Sequence, residues 1–301
     1  MMQFKSVELS DKKEIDTCLA HTTFRTCDYC FTNMYAWKAR FKSSFAVVQQ
    51  TLFLRYADPV STYCYGMPIG KMPLDKALKL IIDDAKENGN RLVIKGVAPE
   101  MWNAIEKAMP DIFVWEHDRD NDEYIYSSEK LIRLKGKKLQ NKRNHINRFK
   151  ADNPNWYYFP LSTREELDGC VDLLDEWENL NVEKAEKSLR YDYVATRKML
   201  DNFHTLELKG GAICVNGRMI AFTLGEKLTD DTFVVHVEKA FSDINGAYAI
   251  INQQFAEHEA QDYTYINREE DMGLENLRKA KLSYQPEILL QEKTLWLKSE
   301  K

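Results

Sequence analysis

The dipeptide Asn216-Gly217, set between the apolar runs 212–215 and 219–226, restricts the fold of this chain more than any other local feature. Asn and Gly both accept the positive φ angles of a type I′ turn, whose twist matches that of paired antiparallel strands. A β-hairpin is therefore expected across residues 212–226. Strand patterns at 232–238, 263–267 and 287–291 follow it, separated by helical patterns at 246–260 and 274–280. Apolar residues at helical spacing over 164–181 and 191–203 precede it. Helices interleaved with a hairpin and further strands describe an α/β fold on a mixed (α+β) sheet.

The first part of the chain has a similar rhythm. Ser10 is expected to cap a helix whose first turn carries Asp11 and Glu14. Phe31, Met34, Tyr35, Trp37 and Phe41 mark a helix over 30–41, and 45–49 with 51–56 reads as a second hairpin. A helix at 74–88 ends at Gly89, followed by a strand at 91–95, a helix at 99–109 and strand-like sequence over 113–126. A length of 301 residues suits two domains, expected at 1–130 and 131–301. The 44% hydrophobic and 30% charged content is globular. No apolar run approaches the roughly 20 residues that cross a bilayer, and the N-terminus lacks a secretory core, so a cytoplasmic location is expected. The six scattered cysteines read as reduced thiols, with Cys27-x-x-Cys30 two core residues and no metal site expected.

Net charge is −5, which excludes a protein that coats nucleic acid with its whole surface. Yet residues 130–150 hold nine Lys or Arg and no acid. Leu139, Ile146 and Phe149 give this stretch one apolar stripe, so a helix begins near Lys137. Lys138, Lys142 and His145 share one flank of it; Lys137, Asn141, Asn144 and Arg148 share another. Most charge runs are solvated surface. Here uncompensated like charges would repel, and a bound phosphate chain or RNA backbone would relieve them.

Residues 265–286 form a second constellation. A strand carries Asn267 and the acids Glu269, Glu270 and Asp271 to its C-terminal end, where α/β sheets hold ligands. Gly273 permits a tight turn, and a short helix then presents Arg278 and Lys281. A carboxylate there can act as general base while a cation offsets developing negative charge. A structural ion-pair cluster has the same pattern, and periodicity does not separate the two. Elsewhere, residues 66–71 are one residue short of a P-loop, with Met72 at the magnesium position. His236 and Glu238 alternate with Val235 and Val237 and share one strand face, and Lys239 follows at the strand end.

The segment Asn267-Arg-Glu-Glu-Asp-Met-Gly273, with Leu277-Arg-Lys-Ala-Lys281 and Tyr284-Gln-Pro286, resembles the signature of the family typified by the C-terminal catalytic region of phosphatidylglycerol lysyltransferases. The basic stretch 134–149 and the N-terminal stretch 28–37 are similar to further motifs of that family, in the same order. The resemblance implies two tandem GNAT-like (acyl-CoA N-acyltransferase-type) domains and transfer of an aminoacyl group from aminoacyl-tRNA. It places Glu270, Asp271, Arg278 and Lys281 in the active site. It implies that Lys142, Arg143 and Asn144 line the approach of a polyanionic donor; Lys138, Glu238, Lys239, Asn267 and Tyr284 are further candidates for binding the substrates. The implied partners are tRNA or another polyanionic donor, and a small-molecule, lipid-headgroup or peptide acceptor. Acetyl-CoA is the less expected donor. The fold's pyrophosphate turn would lie at 243–248, where Asp243 stands and Gly246 is the sole glycine. Two other functions stay open at this point: a non-catalytic RNA or nucleotide binder, and an acetyl-CoA-dependent N-acetyltransferase.

Overall fold

Short strands with alternating burial build the first of two sheets. The computed structural model describes residues 2–20, 22–58, 62–181 and 187–300. Its first compact unit comprises Met1–Glu123 and Leu290–Lys301. The strands are β1 (Lys5–Ser6), β2 (Ser44–Val48), β3 (Thr51–Asp58), β4 (Thr62–Tyr65), β5 (Ile69–Gly70), β6 (Val93–Val97) and β7 (Phe113–His117), joined by the C-terminal strand β15 (Lys293–Leu297). The order is β1-β2-β3-β4-β6-β15-β7, with β5 added on β3. The expected hairpin forms β2 and β3, and its turn residues Gln49 and Gln50 have φ of 49° and 57°.

The helices of this unit are α1 (Lys12–Leu19), α2 (Phe31–Ala36), α3 (Lys38–Phe41), α4 (Leu74–Glu87) and α5 (Pro99–Ala108). Asp11, rather than Ser10, precedes α1; Ser10 lies inside a 3-10 turn, Leu9–Asp11, that a Glu8/Asp11 capping box closes. The helix expected at 30–41 is two short ones, broken at Trp37. α4 buries Ala77, Leu78, Ile81 and Ala85, the stripe that its sequence spacing foretold. Cys27 and Cys30 are buried and unbridged.

The second unit, Tyr124–Leu289, holds β8 (Glu123–Ser127), β9 (Trp156–Pro160), β10 (Lys209–Val215), β11 (Arg218–Lys227), β12 (Thr232–Ala240), β13 (Tyr265–Glu270) and β14 (Ile288–Leu290). Their order is β14-β8-β13-β12-β11-β10-β9. The strand-like run at 113–126 is thus two strands that serve different sheets, β7 and β8. Asn216 and Gly217 take φ of 51° and 81° between β10 and β11, the I′ geometry expected. The helices are α6 (Ser128–Arg133), α7 (Gln140–Asp152), α8 (Arg164–Asn181), α9 (Lys187–Asp201), α10 (Ala247–Glu259) and α11 (Glu275–Leu282). Among the described residues, no helix is long and apolar enough to cross a membrane.

α10 is buried on nearly every side, because β10, β11 and β12 cover one flank and α6 and α7 another. Its start is locked. Gly246 has φ 86°, and a Cβ there would stand 2.5 Å from the His145 carbonyl oxygen of α7. Gly246→Ala is expected to destabilise the protein by about 2–4 kcal/mol, adding left-handed strain to a backbone clash. Gly217→Ala, with open space around the same atom, is expected to lose only about 1 kcal/mol. Urea denaturation of the two variants checks the difference.

Candidate active site

The parallel pair β12 and β13 is in register for three residues, Thr232↔Tyr265, Phe233↔Ile266 and Val234↔Asn267. Beyond that register the two strands continue without pairing to each other, so their C-terminal ends part and side chains bridge the gap. Such a parting at the carboxyl ends of parallel strands is where α/β sheets receive ligands. His236 and Glu238, on one face of β12 as their alternation required, both reach across to β13. His236 Nδ1 lies 2.8 Å from Glu269 Oε1, and its Nε2 lies 2.9 Å from Glu226 Oε1. Burial of the ring opposes charge, but the two carboxylates overcome it and raise the imidazole to about 9. Glu269 itself has φ 57°, a strained value that ends the strand geometry.

Next comes a clamp. Asp271 is fully buried, and its carboxylate receives Arg278 through two bonds of 2.8 Å, Nε to Oδ2 and Nη2 to Oδ1. The Tyr124 hydroxyl donates to Oδ2 at 2.5 Å and the Gly273 amide to Oδ1 at 2.9 Å. Burial pushes this carboxyl up; the Arg278, Tyr124 and Gly273 donors outweigh it and hold it below the ordinary Asp range. Lys281 is buried as well, and its ammonium donates to the carbonyls of Arg268 (2.5 Å), Glu269 (3.1 Å) and Glu270 (2.5 Å). It therefore caps the end of β13 through three successive carbonyls. Glu270 is half-buried, and Asn267 is fully buried with its Oδ1 accepting from the Glu269 amide at 2.7 Å.

Beside the clamp, Arg268 Nη2 donates to Glu238 Oε1 at 3.0 Å, and Asn252 Nδ2 donates to Oε2 of the same carboxylate at 3.0 Å. The Arg268 guanidinium lies 4.8 Å from the ring centre of Tyr284 and 5.6 Å from that of Tyr126. Lys142 Nζ, from α7, lies 3.9 Å from the same Tyr284 ring. Burial first, then the charge of Arg268, lower Lys142 to about 8, against the pull of Glu238. The helix that carries Lys142 follows a 3-10 turn, Lys137–Leu139, and buries Leu139, Ile146 and Phe149 as its stripe predicted.

The other candidates are distributed differently. Arg143 donates to the carbonyls of Leu134 and Gly136, tying down the loop before α7. Lys138, in the 3-10 turn before α7, and Asn144, on α7, are exposed. Lys239 points to the opposite face of β12 from Glu238, 2.5 Å from Asp192 Oδ2 and 3.9 Å from the Trp177 ring centre. The excess of positive charge is partly answered from outside the stretch: Lys130 pairs with Glu287, Arg133 with Glu129 and Arg148 with Asp152. Arg268, Asn252, Tyr124, Tyr126 and Glu226 were not singled out in the sequence. Only the alternation of Tyr124 and Tyr126 on one strand carried a readable signal for any of them.

The family model described as phosphatidylglycerol lysyltransferase, C-terminal, matches residues 20–292. A conserved protein of unknown function from Bacteroides thetaiotaomicron is 39% identical, with TM-score 0.92 over 99% of this chain and 100% of that one. L-PGS from Bacillus licheniformis is 15% identical, with TM-score 0.67 over 97% of this chain and 92% of its own, a likeness of fold. An uncharacterized protein of Mycoplasmoides gallisepticum is 23% identical over 170 residues, 56% of this chain and 53% of the relative, so the chain spans about half the length of that curated relative. Each unit holds one mixed sheet, the mixed α/β class that the sequence pattern implied. With nearly the whole length matched, the chain belongs to the phosphatidylglycerol lysyltransferase C-terminal family.

Proposed function

We propose that the protein transfers an aminoacyl group from a charged tRNA to an amine or hydroxyl acceptor. The observation that carries this reading is the contact of Lys142 with Tyr284, which joins two motifs 142 residues apart in number into one place. The acid-poor helix and the acidic signature thereby share one wall of the parted strands. Arg278, held at fixed orientation by Asp271, faces the negative charge that develops on the ester carbonyl oxygen. Asp271 positions that guanidinium; four donors on a lowered carboxyl make it a poor proton acceptor. Glu270, half-buried at the end of the strand, takes the acceptor's proton, and Lys281 shapes the strand end that presents it. Lys138, Lys142 and Asn144 face the donor, while Arg143 holds the helix start. Glu238, Asn267 and Tyr284 order the wall, and Lys239 supports β12 from behind.

The turn at 243–248 supports a donor other than coenzyme A. His145 of α7 is hydrogen-bonded to Asn245 at 2.8 Å, and the His145 carbonyl sits against Gly246. The place where the fold seats a pyrophosphate is thus covered by the chain's own helix.

Incubation with a pool of charged tRNAs, following deacylation and adduct formation, tests the reading. Accelerated deacylation with an aminoacylated product is the expected result. Salt-dependent tRNA binding without turnover would instead make the protein an RNA binder, and a melting shift with acetyl-CoA would point to acetyl transfer. Lys138→Ala is expected to weaken tRNA binding uniformly and reduce the salt slope by about one.

A further inference from the structure

The stretch 66–71, one residue short of a P-loop in the sequence, builds a wall in the first unit. The Met67 amide donates to the Tyr29 hydroxyl at 2.7 Å, the Lys71 amide to the Gln50 carbonyl at 3.2 Å and the Met72 amide to Thr51 Oγ1 at 2.8 Å. Gly70 has φ 151°, and a Cβ there would stand 2.2 Å from the Gln50 carbonyl oxygen, so glycine alone lets the chain pass this close to β3. Backbone bonds on three sides of Gly70 thus fix the wall before any ligand arrives.

Against this wall lies a cavity of about 940 Å³, whose described lining residues all fall between Ser10 and Leu74. That volume is within the roughly 300–1,000 Å³ of small-molecule sites. Met67, Pro68 and Ile69 line it and are buried, and Phe24, Val47 and Met72 extend the apolar lining. From α1 comes one stripe, Lys13, Glu14, Thr17 and Cys18, while Ile15 and Leu19 of the same helix are buried in the core. Lys13 and Lys71 are the lining cations; both are exposed, and neither makes an ion pair among the described residues. Glu14, the lining acid, pairs with Lys5 at 3.6 Å. The cavity therefore combines an apolar interior with a rim of uncompensated positive charge.

We propose that this cavity binds a small aromatic carboxylate, with its ring against Phe24, Met67 and Met72 and its charge at the rim with Lys13 and Lys71. A ring and two thioethers favour a flat aromatic body over an extended chain. A phosphate fits less well, because the Lys71 and Met72 amides that could cradle its oxygens are already bonded to Gln50 and Thr51. The site belongs to the first unit and is independent of the transfer chemistry proposed for the second.

A reporter is built in. Of the six cysteines five are buried, and Cys18, in the cavity lining, is half-exposed. Burial first, then the charge of Glu14, raises its thiol above the ordinary range, so maleimide labelling is best followed at pH 8. Saturating 2-naphthoate is expected to slow labelling of Cys18 in the intact chain at least tenfold. Calorimetry is expected to show 2-naphthoate binding about tenfold more tightly than 2-naphthalenemethanol, the scale of a hydrogen bond to a charged group at an exposed rim. Lys13→Gln combined with Lys71→Gln, both at exposed positions, is expected to erase that preference. Cys18→Ser is expected to leave the calorimetric affinity unchanged, because the thiol reports on the ligand without holding it. Absence of 2-naphthoate binding, equal affinity for the alcohol in the unaltered protein, or tighter binding of dodecanoate than of 2-naphthoate overturns the proposal. Loss of aminoacyl transfer activity in any assay leaves it standing.

Discussion

Arg278→Ala is expected to destabilise the protein by about 3–5 kcal/mol at pH 7, because it strands a buried carboxylate. Asp271 has no exposure to water, and the change would remove both Arg278 bonds, with the Tyr124 hydroxyl and the Gly273 amide retained. The pH dependence identifies the cause. In the unaltered protein Asp271 is held below its ordinary range, so its contribution is present above the unfolded value and is lost as pH falls through the folded one. In Arg278→Ala the carboxyl rises, and acidification neutralises the stranded charge. The deficit between the two proteins should therefore shrink between pH 7 and pH 4 in parallel urea titrations. A constant deficit would mean that Arg278 acts by packing alone. Under the proposed function the same change removes the oriented cation, and transfer is expected to fall by about two to three orders of magnitude.

The second large effect belongs to His236. Its imidazole is raised to about 9, against an unfolded value near 6.5, so the folded state holds the proton more tightly. That contribution is complete below pH 6.5 and is lost as pH rises through 9. Each pH unit inside this window removes about 1.4 kcal/mol, so stability should fall by about 2 kcal/mol between pH 6.5 and 8. Above pH 8 Lys142 works in the opposite direction, since its folded value is the lowered one and the unfolded chain binds the extra proton. The lower half of the window thus isolates His236. Replacing it with Leu leaves Glu226 and Glu269 without their shared donor, and the variant should be more stable at low pH than at high pH. A His236→Leu protein with the unaltered slope would show that another group titrates there.

Much of this site could be read from local pattern. The acidic strand end, the Gly273 turn, the helix with Arg278 and the acid-free stretch 130–150 each follow from spacing, charge and turn chemistry. Tyr284 and Lys142 were both visible as residues but not as neighbours. The pairing of Arg268 with Glu238, of Asp271 with Tyr124, and of His236 with two acids joins residues on different elements, and no single-sequence period encodes such distances. β15 shows the same limit: five residues with no signal for their partners fill the place between β6 and β7.

The chain by itself determined what depends on neighbours in sequence. Asn216-Gly217 dictates its turn because backbone sterics admit few residues at positive φ, and Leu139, Ile146 and Phe149 dictate which face of α7 is buried because helix geometry is periodic. Only the tertiary structure decided what each charge does. Asp271 was legible as an acid and Lys281 as a base, but burial and the count of donors made one a holder of Arg278 and the other a cap on β13. Electrostatic roles depend on the dielectric and the partners that packing supplies, and packing is a property of the folded chain.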